Sequence, residues 1–182
     1  MPFQNQRYTA DDFFRINADS DSSERYELID GNIVAHAAPS IIHQRILGKL
    51  YRKFGDFIDS NKGSCEPFIS PVDVVLDDEN VVQPDFFIVC NPDIVDDKRC
   101  NGSPDFIVEI TSSNYTNDYI DKLALYKNSG VREYWIVDPS YSRVLVYFFE
   151  NGNSPSIYTF DMEIPVSIYV GKLSINISEM LG

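Results

Sequence analysis

No stretch of the 182-residue chain approaches the roughly 20 consecutive apolar residues that a membrane-spanning helix needs. The first residues, MPFQNQRYTADDFF, lack the basic end and apolar core of a secretion signal, so a soluble cytoplasmic protein is expected. Cysteine is scarce: Cys65, Cys90 and Cys100 are odd in number and form no CxxC pair. That pattern speaks against a disulfide framework or a zinc site and predicts buried free thiols. With only His36 and His43, a histidine-rich metal centre is also excluded. Basic residues are short as well, 15 against 28 acidic ones, for a net charge of −13. A broad nucleic-acid-binding surface would normally be basic, which leaves room for a local groove at most.

What is present is ordinary globular composition, 43% hydrophobic and 13% aromatic, at a length that suggests one domain over residues 1–182. Thr9 and Asp12 are placed to cap a first helix that ends near Ile16, followed by a polar loop to Glu24. RYELIDGNIVAHA reads as a hairpin turning at Asp30-Gly31. After Pro39-Ser40, apolar residues from Ile42 to Ile58, with Tyr51 among them, recur at helical spacing to about Asp59. Strand-like runs follow: CEPFIS, VDVVL, VVQPDFFIVC and FIVEIT. SSNYTNDYIDKLALYKNSGV then has the signs of a second long helix stopped by Gly130. EYWIVD, RVLVYFFE, SIYTFD and KLSINISEML complete an α/β or α+β domain, strands in the middle and helices on either side.

Two strand runs open alike, QPDFFIVC and SPDFIVEI, but only the second carries an acid inside its apolar run. In FIVEIT, alternation sets Ile107, Glu109 and Thr111 on one face and Phe106, Val108 and Ile110 on the other. An ionised Glu109 in so apolar a strand costs several kcal/mol unless it is paired, protonated or bound to a cation. Asp85 follows Pro84, which confines pairing to a strand end and lets the aspartate turn into a cleft, whereas Asp105 reads as a strand-entry residue. Two carboxylates from neighbouring strands, with waters, make the oxygen shell that Mg²⁺ prefers. A hydrolytic site of this kind wants a lysine near the attacking water; two residues beyond Glu109 stands Thr111 instead. The nearest candidate is Lys122 in the following helix, where Asp118 offers an ordinary surface partner.

These residues resemble a known family. RYELIDGNIV, APSxxH, VVQPD, FIVEITS and DYIDKLALYKNSGVREYWIVDP look like the Uma family of restriction-endonuclease-like proteins, from about Tyr26 to Pro139. The string K-x3-Y-x3-GV-x-EYW, from Lys122 to Trp135, is the most specific part. The resemblance implies the PD-(D/E)XK nuclease fold, a mixed central sheet flanked by helices, whose lysine has moved from strand to helix. It makes Asp85 and Glu109 ligands of Mg²⁺ or Mn²⁺, Lys122 the migrated lysine, and Glu27 an acid that joins the metal or holds Lys122.

The expected function is therefore a metal-dependent endonuclease hydrolysing phosphodiester bonds, in DNA first. A non-enzymatic accessory protein that kept the fold, or a phosphodiesterase for RNA or a small substrate, stands as the alternative. His43 at the start of the long helix, Gln83 beside the PD pair, and the basic stripe with Arg45 and Lys49 are the candidate substrate contacts; packing, an exposed strand position and a solvated helix face are their ordinary readings. Cutting both strands of a duplex usually takes two sites, so a homodimer fits, although no interface can be read.

Overall fold

The first helix, α1 (Ala10–Ala18), begins on the reciprocal cap that the sequence predicts. The Asp12 amide donates to Thr9 Oγ1 at 3.3 Å and the Thr9 amide donates to Asp12 Oδ2 at 3.1 Å, which satisfies two amides that have no helical acceptor. The computed structural model describes residues 7–18, 25–35, 38–111, 118–152 and 154–182, with the backbone alone at 118–121. The polar loop at 19–24, the end of the hairpin at His36 and Ala37, and the start of the second long helix at 112–117 lie outside the described residues, as does the side chain of Asp118.

Strands β1 (Tyr26–Ile29) and β2 (Asn32–Ala35) form the expected hairpin. Its two turn residues, Asp30 and Gly31, have φ of 47° and 69°, the left-handed pair that a two-residue hairpin requires. Helix α2 (Ile41–Ser60) is capped by Ser40, whose hydroxyl accepts the His43 amide. Ile46, Leu47, Leu50, Phe54 and Ile58 are its buried stripe, while Ile42 and Tyr51, also assigned to it by spacing, sit at the margins and stay exposed. Then come β3 (Glu66–Ile69), β4 (Val74–Asp77), β5 (Asn80–Val82), β6 (Phe86–Val89), β7 (Cys100–Asn101) and β8 (Phe106–Ile110). Helix α3 (Asp118–Ser129) stops at Gly130, which takes φ 98° at no steric cost. The chain closes with β9 (Glu133–Asp138), β10 (Arg143–Phe148), β11 (Ser156–Thr159), β12 (Ile164–Pro165), β13 (Ser174–Ile175) and α4 (Ile177–Leu181).

The strands divide between two main sheets, ordered β2-β1-β5-β4-β7 and β11-β10-β9-β8-β6-β3, with β12 and β13 as a small third one. Both main sheets are mixed: β8 runs parallel to β9, and β4 parallel to β7. The single sheet expected from sequence splits because Pro84, lacking an N–H, interrupts VVQPDFFIVC. Val82 therefore ends a strand of one sheet and Phe86 starts a strand of the other.

Alternation along each strand sorts side chains into three cores. Leu28 and Val81 pack under α1 with Phe13. Val74 and Val82 face Phe87, Ile107, Tyr134 and Ile136 across the seam between the sheets, where Tyr126 of α3 also packs. On the far face of the six-stranded sheet, Phe86, Phe106, Val108 and Trp135 meet α2 and the C-terminal segment. No helix among the described residues is long and apolar enough to cross a membrane.

The cysteines depart from expectation. Cys65 and Cys90 are joined by a disulfide, and Cys100 is free and buried. Strands β3 and β6 pair antiparallel with Glu66 opposite Val89, so the next residue on each strand is a cysteine facing a cysteine. Local spacing carries no such information. Burial first, then the negative charge of Asp96, pushes the Cys100 thiol up to about 11, which keeps it out of exchange. With the joined cysteines 25 positions apart in sequence, reduction is expected to cost about 3 kcal/mol of stability. Guanidinium unfolding with and without dithiothreitol measures this, and coincident curves would show that the crosslink contributes nothing.

Candidate active site

Asp85 owes its position to the break at Pro84. Strand β6 pairs antiparallel with β8, with Phe86 opposite Val108; continuing that register by one residue sets Asp85 opposite Glu109. Having left the ladder, Asp85 uses its side chain to complete it: Oδ2 accepts the Ile110 amide at 2.7 Å. The same oxygen lies 2.9 Å from His43 Nε2, in the first turn of α2. No described residue donates to the other oxygen, Oδ1, and the side chain keeps 19% of its exposure.

Glu109 shares a face of β8 with Ile107, as the alternation predicts, and that face meets α3. Lys122 and Tyr126, one turn apart on α3, both reach it. Lys122 Nζ stands 3.0 Å from Glu109 Oε1, and the Tyr126 hydroxyl donates to the same oxygen at 2.7 Å. From β1 of the other sheet, Glu27 closes on Lys122 with Oε2 at 2.9 Å and Oε1 at 3.1 Å. Glu27 is itself held by the Gln83 amide, which donates to Oε1 at 2.8 Å. The carboxylates of Glu27 and Glu109 and the ammonium between them keep 2%, 12% and 6% of their side-chain exposure.

This cluster, from Glu27 to Tyr126, falls within residues 10–177, which match the Uma2 family, described as "Putative restriction endonuclease". The chain belongs to the Uma2 family. Among solved structures it is similar to a "putative nuclease belonging to DUF820" from Anabaena variabilis, with a TM-score of 0.77 at 18% identity over 94% of this chain and 96% of that one. At that identity the likeness establishes a shared nuclease-like fold. No curated protein matches the chain.

The electrostatics of the Uma2 site follow from burial and crowding. For Lys122, burial disfavours the charged form, but Glu109 and Glu27 outweigh it and hold the pKa above the ordinary lysine value. Its nitrogen thus stays an ammonium and offers no lone pair for base catalysis. Glu109 is raised, by burial first and then by the charges of Asp85 and Glu27, with Lys122 opposing. Tyr126 is also raised, by burial and then by Glu109, so its hydroxyl remains a neutral donor. Two carboxylates grip one ammonium and a third, Asp85, lies opposite Glu109, which leaves the cluster short of positive charge.

That shortage, and two carboxylate oxygens without described donors on residues set opposite one another, fit a divalent cation of the kind the restriction-endonuclease-like fold generally uses. Among the described residues no group of three or more His, Cys, Asp or Glu is arranged to hold an ion by itself. Mg²⁺ commonly takes one or two carboxylates and fills its shell with water and substrate oxygens, so Asp85 and Glu109 suffice.

The remaining predicted contacts separate. Gln83 serves through its backbone; its side-chain Nε2 donates to Asp73 Oδ1 at 2.9 Å, and its buried Oε1 has no partner among the described residues. His43 is at the site. Arg45 and Lys49 are exposed, and Arg45 stands about 200° around the helix from His43, on the solvent side of α2. Trp135 and Tyr134 are fully buried in the core. Tyr126 was given no role from sequence, although it is the tyrosine of the K-x3-Y string that carries the family resemblance.

Proposed function

We propose that this Uma2 protein is a single-domain, divalent-cation-dependent nuclease that hydrolyses phosphodiester bonds, acting on DNA before RNA. The observation that carries the reading is Lys122 held between Glu27 and Glu109 beside Asp85, with one carboxylate oxygen of Asp85 and one of Glu109 to which no described residue donates. Asp85 and Glu109 would hold Mg²⁺ or Mn²⁺, which when bound polarises a phosphoryl oxygen and lowers the pKa of a water. Asp85 is fixed for this by the Ile110 amide and His43. Lys122, kept charged, orients the attacking water and stabilises the negative charge that builds on phosphorus oxygens. Glu27, almost wholly buried, holds Lys122 rather than the ion. Nucleic acid would meet an acidic cluster in a chain of net charge −13, so its binding should depend on the cation.

The test is a panel of duplex DNA, single-stranded DNA, RNA and a small phosphodiester, each with Mg²⁺, Mn²⁺ or EDTA. Cleavage of DNA that disappears in EDTA is the expected result. Cleavage that persists in EDTA, or none of any substrate with either ion, sinks the reading; cleavage of RNA alone transfers it to RNA. The accessory-protein reading draws on the same ion pair, because a lysine locked between two buried acids also suits a scaffold. Absence of divalent-ion binding would favour it. For duplex cutting we propose a cytoplasmic homodimer, which sedimentation of the protein with DNA would report.

A further inference from the structure

We propose that Tyr126 is a positioning residue that fixes Glu109 so that its free oxygen, Oε2, is the one presented to the cation. The inference rests on the reading of Asp85 and Glu109 as the ion-binding pair. A carboxylate oxygen has about two acceptor directions. On Glu109 Oε1 both are taken, one by the Tyr126 hydroxyl at 2.7 Å and one by Lys122 Nζ at 3.0 Å, while no described residue donates to Oε2. The two donors differ in what they can guarantee. Lys122 divides its ammonium between two carboxylates on a flexible stem, and its charge is wanted at the substrate. If it alone oriented Glu109, every movement toward phosphate would free the ligand to rotate.

Tyr126 has no such freedom. Its ring is completely buried and meets the Tyr134 ring edge-on, centroids 5.0 Å apart. A phenol hydroxyl buried this deeply is costly without an acceptor, and Glu109 is the acceptor it has. Each therefore holds the other, independently of Lys122. Because Lys122 and Tyr126 lie four residues apart on α3, one helix supplies both a cation shared with Glu27 and a donor committed to a single oxygen.

The experiment is calorimetric titration of Mn²⁺ into the full chain, well below its melting temperature, with Tyr126→Phe and Lys122→Met as variants. Tyr126→Phe removes one oxygen and is expected to weaken Mn²⁺ binding by about 10-fold or more, as losing an orienting partner of a metal ligand does. Lys122→Met, which keeps the hydroxyl, is expected to bind Mn²⁺ at least as tightly as the parent. A merely structural tyrosine would lower the melting temperature of Tyr126→Phe and leave its Mn²⁺ affinity within twofold, which overturns the proposal. So does loss of binding in Lys122→Met, which would make the lysine the orienting group and decides the matter even if Tyr126→Phe does not fold. Failure of the parent to bind Mn²⁺ is a separate result: it removes the ion site itself.

Discussion

Lys122→Met is expected to lower cleavage on the order of 10²–10³-fold, the usual loss when one preorganised group that stabilises transition-state charge is removed. The same change is expected to destabilise the protein by about 3–5 kcal/mol, because breaking a buried ion pair leaves its partners uncompensated. Two partners are stranded here, Glu27 and Glu109, at 2% and 12% side-chain exposure. Methionine retains most of the aliphatic stem, so lost packing contributes little. Adding Glu27→Gln to this variant removes one stranded charge while the amide can still accept from Gln83. Guanidinium unfolding should then show part of the stability recovered, and the cleavage rate should not follow. If stability is untouched by Lys122→Met, the ion pairs are not the buried ones described.

Asp85→Asn acts on the other half of the site. Asparagine keeps an oxygen for the Ile110 amide, so the junction of β6 and β8 survives, at a loss of about 1 kcal/mol, the difference between a charge-assisted hydrogen bond and a neutral one. The carboxylate proposed to meet the cation is gone. Mn²⁺ affinity should fall by more than the roughly 100-fold that bounds changes to orienting groups, and cleavage should fall with it. Calorimetry and cleavage assays on the two variants together divide the roles: Asp85→Asn loses the ion and the reaction, Lys122→Met the reaction alone. Unaltered Mn²⁺ binding by Asp85→Asn would remove Asp85 from the ion-binding pair.

What could be read in advance was whatever depends on neighbours in sequence. The Thr9–Asp12 cap, the Asp30-Gly31 turn and the stop at Gly130 are local. So is the alternation in β8, which sends Phe106 and Val108 into one core and Ile107 and Glu109 toward another. Asp105 proved more than a strand entry: its carboxylate accepts the Cys90 amide at 2.8 Å and stands 3.4 Å from Arg132, tying the ends of three strands. The pairing of Cys65 with Cys90 depended on the register of strands far apart in sequence, which no local pattern encodes. Arg45 and Lys49 stand exposed on the other side of α2, because the face that brings His43 inward carries them outward. Tyr126 was hidden because an aromatic at helical spacing looks like core, and it is core, except for one oxygen.

The break at Pro84 has one more consequence. Only Gln83, Pro84 and Asp85 separate β5 in one sheet from β6 in the other, a link that can span at most about 10 Å. Its first residue holds Glu27 through the backbone, and its last is Asp85 itself. Lys122 meanwhile grips one carboxylate from each sheet. Any tilt of one sheet against the other is therefore felt at this hinge, where it pulls apart the two carboxylates that share the Lys122 ammonium. The cluster acts as a gauge of inter-sheet angle. Pressure on either sheet from outside would therefore reach the Glu27–Lys122–Glu109 contacts without touching any of the three residues.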